Sequence, residues 1–303
     1  MRLFITGATG FVGSHLVRQA LAAGHEVLAL RRPGSTPRIP LTTEPKWLEG
    51  DLEFFDTGSL CHCDVMIHAA AHSANTPYDS LDACIRWNVL AALQAVTRAH
   101  ASGIRGFVFV GSCFEYGNSG GHLTAIPADA PLRPTGSYPV SKAMAGLALL
   151  EFARERQLCA CLARLFHVYG EGEPDGRFWP SLARAAADGQ DFAMSDGTQV
   201  RDFIPVETAA YLLLREAERL DTLDVPEQTV ANLGTGQGQR LVDFASAEWR
   251  RLGAAGALRP GTYPRRDGEI ERLVADLTRR PWPCSTTPPS ASPHTARYGH
   301  TRS

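Results

Sequence analysis

Thr6-Gly7-Ala8-Thr9-Gly10-Phe11-Val12-Gly13 is the stretch on which the reading of this chain turns. Before it stands Arg2-Leu3-Phe4-Ile5, which has the character of a buried strand. After it, Gly13 to Ala23 has the apolar spacing of a helix and is closed by Gly24. Each glycine has a separate task at such a junction. Gly7 permits the tight turn, Gly10 removes a side chain where backbone must approach a pyrophosphate, and Gly13 lets helix lie close on strand. The helix start, with Phe11 and Val12, then offers unpaired N–H groups and the positive end of the helix dipole. A glycine triplet alone is a weak sign. Its place at the first strand–helix junction makes it a dinucleotide-binding turn.

Outward from this turn, strands and helices alternate. Glu26 to Leu30 reads as a second strand, a short third precedes Gly50, and Asp64 to His68 is a fourth, followed by a helix through Asn88 and Ala95. Gly106 to Val110 is a strand, Tyr138 to Arg156 a helix, and Cys159 to Phe166 a further strand. This alternation predicts crossover units and a doubly wound parallel α/β sheet of the Rossmann type. Past Gly170 the pattern shifts to a charged, glycine-rich loop, then short helices mixed with strand-like pieces at Asp202 to Val206 and Thr229 to Leu233. The predicted organisation is a dinucleotide-binding domain over 1–170 and a smaller C-terminal substrate-binding lobe over 171–280, with chain returning to the sheet. The Pro-, Ser- and Thr-rich segment 281–303 has no apolar period and is expected to be a disordered tail.

Composition narrows the classes further. The chain has 303 residues, 44% hydrophobic, with a formal net charge of −2, which is a globular composition with no global pull towards nucleic acid or membrane. No apolar run approaches a bilayer span, and the N-terminus begins directly on a strand pattern, so a cytoplasmic protein is expected. The seven cysteines are read as free thiols: Cys61/Cys63 and Cys159/Cys161 would each share a strand face, at a spacing unlike that of zinc ligands, and no metal is expected.

Two arginines, Arg31 and Arg32, stand at the end of the second strand, where a fold selecting NAD usually places an acidic residue. Arginine suits a 2′-phosphate, so NADP(H) is favoured and NAD(H) is the alternative. Asp51-Leu52, beyond the third strand, is a candidate for the adenine edge.

Tyr138-Pro139-Val140-Ser141-Lys142 puts a phenol and an ammonium four residues apart, hence on one helix face. Such a cation is expected to lower the phenol pKa and make Tyr138 an acid/base near neutral pH, while Lys142 reaches a ribose hydroxyl. Ser112 closes the strand Gly106–Val110 at its carboxyl end, where ligands bind in these sheets, and would hold a substrate oxygen beside Tyr138.

In order, the chain carries Gly7-x-x-Gly10-x-x-Gly13, Asp51-Leu52, His68-Ala69-Ala70-Ala71, Asn88, Ser112 with Tyr116-Gly117, and Tyr138-x-x-x-Lys142. It thereby resembles the extended short-chain dehydrogenase/reductase superfamily, in its nucleotide-sugar epimerase/dehydratase/reductase branch, over roughly residues 1 to 280. The resemblance implies Ser112, Tyr138 and Lys142 as the catalytic set. It implies backbone passing along the cofactor at Ala69, Ala70 and Ala71, and Asn88 on the helix that backs the site. It implies a nucleotide-sugar substrate clamped at its diphosphate by Arg201 and by Arg266 of Arg266-Asp267-Gly268-Glu269, and a possible homodimer. His167 stands where the family often has asparagine and is either a substrate ligand or a packed histidine. Pro281-Trp282-Pro283 echoes a family turn, but the closing helix has no counterpart.

Three reactions use such a site. Dehydratases of the branch usually have an Asp-Glu pair after the serine or threonine. Here Cys113 and Phe114 follow, and Glu115 is expected to point away along an extended segment, so dehydration is disfavoured. With Arg31 and Arg32, the expectation is reduction of a 4-keto group on a nucleotide-activated deoxysugar. Epimerisation is the alternative, and a non-catalytic dinucleotide-binding or redox-sensing protein is a third reading.

Overall fold

The computed structural model describes residues 1–119, 123–266 and 268–278, so Asp267 and the segment 281–303 lie outside the described residues. The first half runs β1 (Arg2–Thr6), α1 (Phe11–Ala22), β2 (Glu26–Arg31), β3 (Lys46–Glu49), β4 (Val65–His68), α2 (Leu81–Ile85), α3 (Ala91–Ala101), β5 (Gly106–Ser112), α4 (Ser137–Glu155) and β6 (Cys159–Leu165). It continues with β7 (His167–Tyr169), α5 (Phe178–Ala187), β8 (Phe192–Ala193), β9 (Val200–Arg201), β10 (Phe203–Pro205), α6 (Val206–Asp221) and β11 (Gln228–Leu233). The remaining elements are β12 (Gln239–Arg240), α7 (Leu241–Arg251), β13 (Leu258–Arg259) and β14 (Arg272–Leu273).

Seven strands form one parallel sheet in the order β11-β6-β5-β4-β1-β2-β3. A parallel sheet needs helices on both faces, so its strands are apolar on both sides. Leu3 and Ile5 pack with α1 and α6, whereas Phe4 between them packs with α3 and α4. The order reverses between β1 and β4, which opens a crevice at their carboxyl ends. The glycine turn and Ala69 to Ala71 emerge at that crevice.

After β6 the chain builds small sheets: β7 with β10, β12-β9-β14, and β13 with β8. Leu182 and Ala186 of α5 pack on Ala245 and Trp249 of α7. Strand β11 then lies beside β6 in the main sheet.

Two local expectations need correction. The extended piece expected over Asp202 to Val206 is confined to Phe203–Pro205, and Val206 already begins a helix. Pro205 stands immediately before that helix, where its missing N–H costs nothing, and Glu207 in the first turn favours the helix dipole. Cys61 and Cys63 do not share a strand face. They follow a short 3₁₀ turn, Gly58–Leu60, and the Cys63 N–H donates back to the Leu60 carbonyl at 2.9 Å. Cys61 is exposed and Cys63 buried.

Candidate active site

The glycine turn shows which glycines serve the fold and which leaves room for a ligand. A Cβ on Gly7, where φ is +70°, would stand 2.5 Å from the Ala70 nitrogen, and one on Gly13 would stand 2.0 Å from the Gly7 carbonyl oxygen. Both positions are therefore required by close backbone packing, Gly7 against the Ala69-Ala70 segment and Gly13 against the turn itself. A Cβ on Gly10 would meet only the Gly7 carbonyl oxygen, at 3.1 Å. The space before Gly10 is otherwise open, and α1 begins there without a side-chain cap or an acidic residue in its first turn. The N–H groups of Phe11, Val12 and Gly13 have no partner within the helix by geometry alone. An open cradle lined by uncapped N–H groups fits the pyrophosphate of a dinucleotide.

The crevice continues along Ala69 to His72, and Asn88 fixes its course. The Asn88 Oδ1 accepts the His72 N–H at 2.7 Å, and its Nδ2 donates to the His72 carbonyl at 3.1 Å and to the Ser141 hydroxyl at 2.9 Å. Asn88 sits in a π-helical turn, Arg86–Leu90, a widening that recurs at functional sites. It thus joins the chain beside the crevice to the helix that carries Tyr138. At the end of β4, Nδ1 of the buried His68 lies 2.8 Å from the Thr6 hydroxyl. Burial, and then Lys142, hold the His68 pKa down to about 3, so this imidazole is neutral.

Ser112 ends β5, and its hydroxyl accepts the Phe114 N–H at 3.3 Å. Tyr138 is 7% exposed and lies in the first turn of α4, with Lys142 one turn on. The Lys142 ammonium donates to the Val110 carbonyl at 2.7 Å. The expected lowering of the Tyr138 pKa is not what the structure holds. Burial pushes the phenol well above its usual value, the Glu115 carboxylate and Tyr78 add to this, and Ser112 and Arg177 oppose it only partly. Lys142 is itself pushed down by burial. Burial dominates, and Tyr138 is a protonated phenol at neutral pH.

Glu115 also differs from expectation. Residues Cys113–Tyr116 form a 3₁₀ turn, not an extended segment, so Glu115 folds back under Ser112. Its Oε1 accepts the Ser112 N–H at 2.7 Å and its Oε2 accepts from Arg164 Nε at 2.7 Å. Arg164 continues to the Tyr116 hydroxyl at 3.0 Å and the Ala128 carbonyl at 2.9 Å, and Tyr116 donates to Asn232 Oδ1 at 2.6 Å. Glu115, Tyr116, Arg164 and Asn232 are all buried. This network was not legible from spacing, because its members lie on β11, β6 and the turn after β5.

The outer residues are placed as follows. The Asp51 Oδ1 accepts the N–H groups of Glu53 and Phe54, both at 2.8 Å, and so shapes the loop around Leu52. Arg31 stands across from Glu49 in the β2–β3 register; its guanidinium meets the Glu49 carboxylate at 3.1 Å and lies 4.9 Å over the Trp47 ring. Arg32 is exposed. His167 packs its ring against Phe114 and Phe203, and its Nδ1 is buried with no hydrogen-bond partner among the described residues. Burial, Arg201 and Arg177 hold His167 neutral.

Arg201 is buried; it donates to the Val200 carbonyl at 2.9 Å and meets Glu269 at 3.4 Å. Its neighbour Asp202 is structural: the carboxylate accepts from the N–H and hydroxyl of Thr235 and from the N–H groups of Gly236 and Ala275. Arg266 is exposed and donates to the Thr76 hydroxyl at 3.3 Å, across to the N-terminal half of the chain. The Arg201–Glu269 contact brings the two arginine-bearing segments together. Sequence reasoning passed over Glu173, whose carboxylate is 5% exposed, lies 3.3 Å from Arg177, and is pushed up to about 7 by burial. It also passed over Tyr78, whose ring centroid lies 5.5 Å from that of Tyr138. No group of three or more His, Cys, Asp or Glu side chains able to hold a metal occurs among the described residues.

Comparison with known proteins agrees with this geometry. Residues 3–234 match the model of the NAD dependent epimerase/dehydratase family. The CDP-abequose synthase of Salmonella muenchen is 27% identical over 93% of this chain and 92% of its own length. The UDP-glucose 4-epimerase of Lactobacillus helveticus is 27% identical over 92% of this chain and 89% of its own. Among solved structures, MoeE5 in complex with UDP-glucose and NAD superposes with a TM-score of 0.77 at 28% identity, covering 92% of this chain and 90% of MoeE5.

Proposed function

The chain belongs to the NAD dependent epimerase/dehydratase family, and on that premise we propose that it reduces the 4-keto group of a nucleotide-diphosphate deoxysugar. The observation that carries this reading is the setting of Tyr138: a buried phenol in the first turn of α4, kept protonated at neutral pH by burial and one turn from Lys142. Reduction of a ketone needs a proton delivered to the carbonyl oxygen, and a loaded phenol is the form that supplies one. A bound nicotinamide would supply the hydride. Ser112 orients the carbonyl oxygen, Tyr138 protonates it, and Lys142 holds the ribose beside them. Cys113 and Phe114 offer no acid/base pair for dehydration, and Glu115 is committed to Ser112 and Arg164.

The nucleotide-sugar class is supported by the relatives, which carry CDP- and UDP-linked sugars in their names. Arg201 and Arg266 are the candidates for the diphosphate, and the unpartnered Nδ1 of His167 is the candidate for a sugar hydroxyl. For the dinucleotide, Arg31 and Arg32 support NADP(H). The Glu49 carboxylate against Arg31 supports NAD(H) as the second reading, since it would repel a 2′-phosphate. Exposed Leu90, Met144 and Leu147, near Asn88 and on α4, fit a homodimer. No helix among the described residues is long and apolar enough to cross a membrane.

The relatives favour one other reaction, 4-epimerisation. A 4-keto sugar nucleotide offered with NADPH or NADH should be reduced stoichiometrically. Conversion of UDP-glucose to UDP-galactose without added cofactor would instead establish the epimerase. Tyr138→Phe should lower turnover by roughly a hundredfold or more and leave NADPH affinity unchanged; unaltered turnover would remove Tyr138 from the chemistry and favour the non-catalytic reading.

A further inference from the structure

The segment between β4 and α2 does more than connect them. It folds back over the start of α4. The Asp79 carboxylate meets His72 Nε2 at 2.9 Å, the Asp79 N–H donates to the Ser73 hydroxyl at 2.7 Å, and the Ser137 hydroxyl donates to the Asp79 carbonyl at 2.6 Å. His72 is in turn bracketed by Asn88. Four separate anchors therefore set the position of Tyr78, the residue just before Asp79.

Tyr78 lies against the residue that does the chemistry. Its ring is tilted by 35° to that of Tyr138 with centroids 5.5 Å apart. The ring fits there because residue 136 is glycine: a Cβ at Gly136, where φ is +91°, would stand 3.3 Å from the Tyr78 ring. Tyr78 is only half-buried, whereas Tyr138 is covered. Tyr78 also feels the charges of Arg177 and Arg266, both from the C-terminal half of the chain. Thr76, two residues earlier, takes the hydrogen bond from Arg266. The loop that carries Tyr78 thus touches Tyr138 by a ring contact and Arg266 by a hydrogen bond.

We propose that Tyr78 is a specificity-determining residue that contacts the sugar of the nucleotide-sugar substrate, its ring forming one wall over Tyr138 and its hydroxyl bonding a sugar oxygen between the reacting carbon and the diphosphate. The proposal rests on the reading of this site as a nucleotide-sugar site. A stack of an aromatic ring beside a sugar removes apolar C–H surface from water, and a phenol hydroxyl at the wall's edge supplies direction. Because the wall comes from residues 72–80 and the arginines from 177 and 266, the sugar would be gripped from both halves of the molecule.

The test compares sugar nucleotides with the same nucleotides lacking the sugar. UDP-glucose, CDP-glucose, dTDP-glucose and GDP-mannose are titrated calorimetrically into wild type, Tyr78→Phe and Tyr78→Ala in the presence of saturating NADH, together with UDP, CDP, dTDP and GDP. For the sugar nucleotide that wild type binds best, Tyr78→Ala should weaken binding by roughly tenfold and Tyr78→Phe by about threefold, as expected for a lost wall and a lost neutral hydrogen bond. The matching nucleoside diphosphate should bind all three proteins equally, and retained NADH affinity shows that each variant is folded. Equal loss for the sugar nucleotide and the bare diphosphate, or no loss for either, overturns the assignment of Tyr78 while the nucleotide-sugar reading stands. A wild-type protein that binds none of the four sugar nucleotides overturns that reading, and this inference with it. A Tyr78→Ala protein that fails to bind NADH is replaced by Tyr78→Leu, for which the same differential loss is required.

Discussion

The carboxylate of Glu115 accepts the main-chain N–H of Ser112 at 2.7 Å while its second oxygen holds the Arg164 guanidinium at 2.7 Å. Ser112, the residue proposed to orient the reacting oxygen, is thus tied to a buried ion pair. Removing one member of such a pair leaves an uncompensated charge. Glu115→Ala is expected to destabilise the protein by about 3–5 kcal/mol. Glu115→Gln, which keeps an acceptor for Ser112, should lose less. Urea unfolding of both variants checks this, and a cost for Glu115→Ala within error of zero would show that Arg164 finds other partners.

The glycines of the first turn should separate by variant. A Cβ at Gly13 has no room, since it would stand 2.0 Å from the Gly7 oxygen. Gly13→Ala should therefore lower the melting temperature and abolish dinucleotide binding together. Gly10→Ala faces one contact at 3.1 Å and should keep the fold while losing NADH and NADPH affinity, because the methyl group enters the proposed pyrophosphate cradle. Melting curves with and without cofactor distinguish the two. Full cofactor affinity in Gly10→Ala would move the pyrophosphate elsewhere.

Dinucleotide choice should respond to Glu49. With Arg31 held 3.1 Å from that carboxylate, a 2′-phosphate must compete for the guanidinium. Glu49→Gln is expected to raise NADPH affinity relative to NADH. The double variant Arg31→Ala/Arg32→Ala should lower NADPH affinity by roughly tenfold, the loss expected for charge-assisted hydrogen bonds. Fluorescence titration reads both. An NADPH affinity indifferent to the arginines would leave NAD(H) as the natural cofactor.

His68 predicts a pH dependence of stability. Its folded pKa, about 3, lies below the ordinary imidazole value of 6.5, mainly through burial. The unfolded chain therefore takes up the proton first, and stability present above pH 6.5 is lost as the pH falls towards 3. The slope from this one group is about 1.4 kcal/mol per pH unit within that window. His68→Gln, which retains a polar partner for the Thr6 hydroxyl, should flatten the fall between pH 6.5 and 4.5 in urea titrations. An unchanged slope would mean that His68 titrates normally in the folded protein.

The amino-acid sequence by itself determined the parallel sheet, the glycine turn at its first crossover, and the spacing that puts Tyr138 and Lys142 on one helix face. These are local properties: short apolar runs that alternate with helical periods, and positions where only glycine fits. The tertiary structure decided the rest. Burial by distant segments sets Tyr138 as a protonated phenol where the neighbouring cation alone argued for a lowered pKa. The turn after Ser112 brings Glu115 back to meet Arg164 from β6, and the β2–β3 register sets Glu49 against Arg31. Tyr78 reaches Tyr138 across 60 positions of chain because the loop after β4 is anchored on α4. Desolvation and charge pairing depend on which remote groups share a volume, and spacing along the chain carries no record of that.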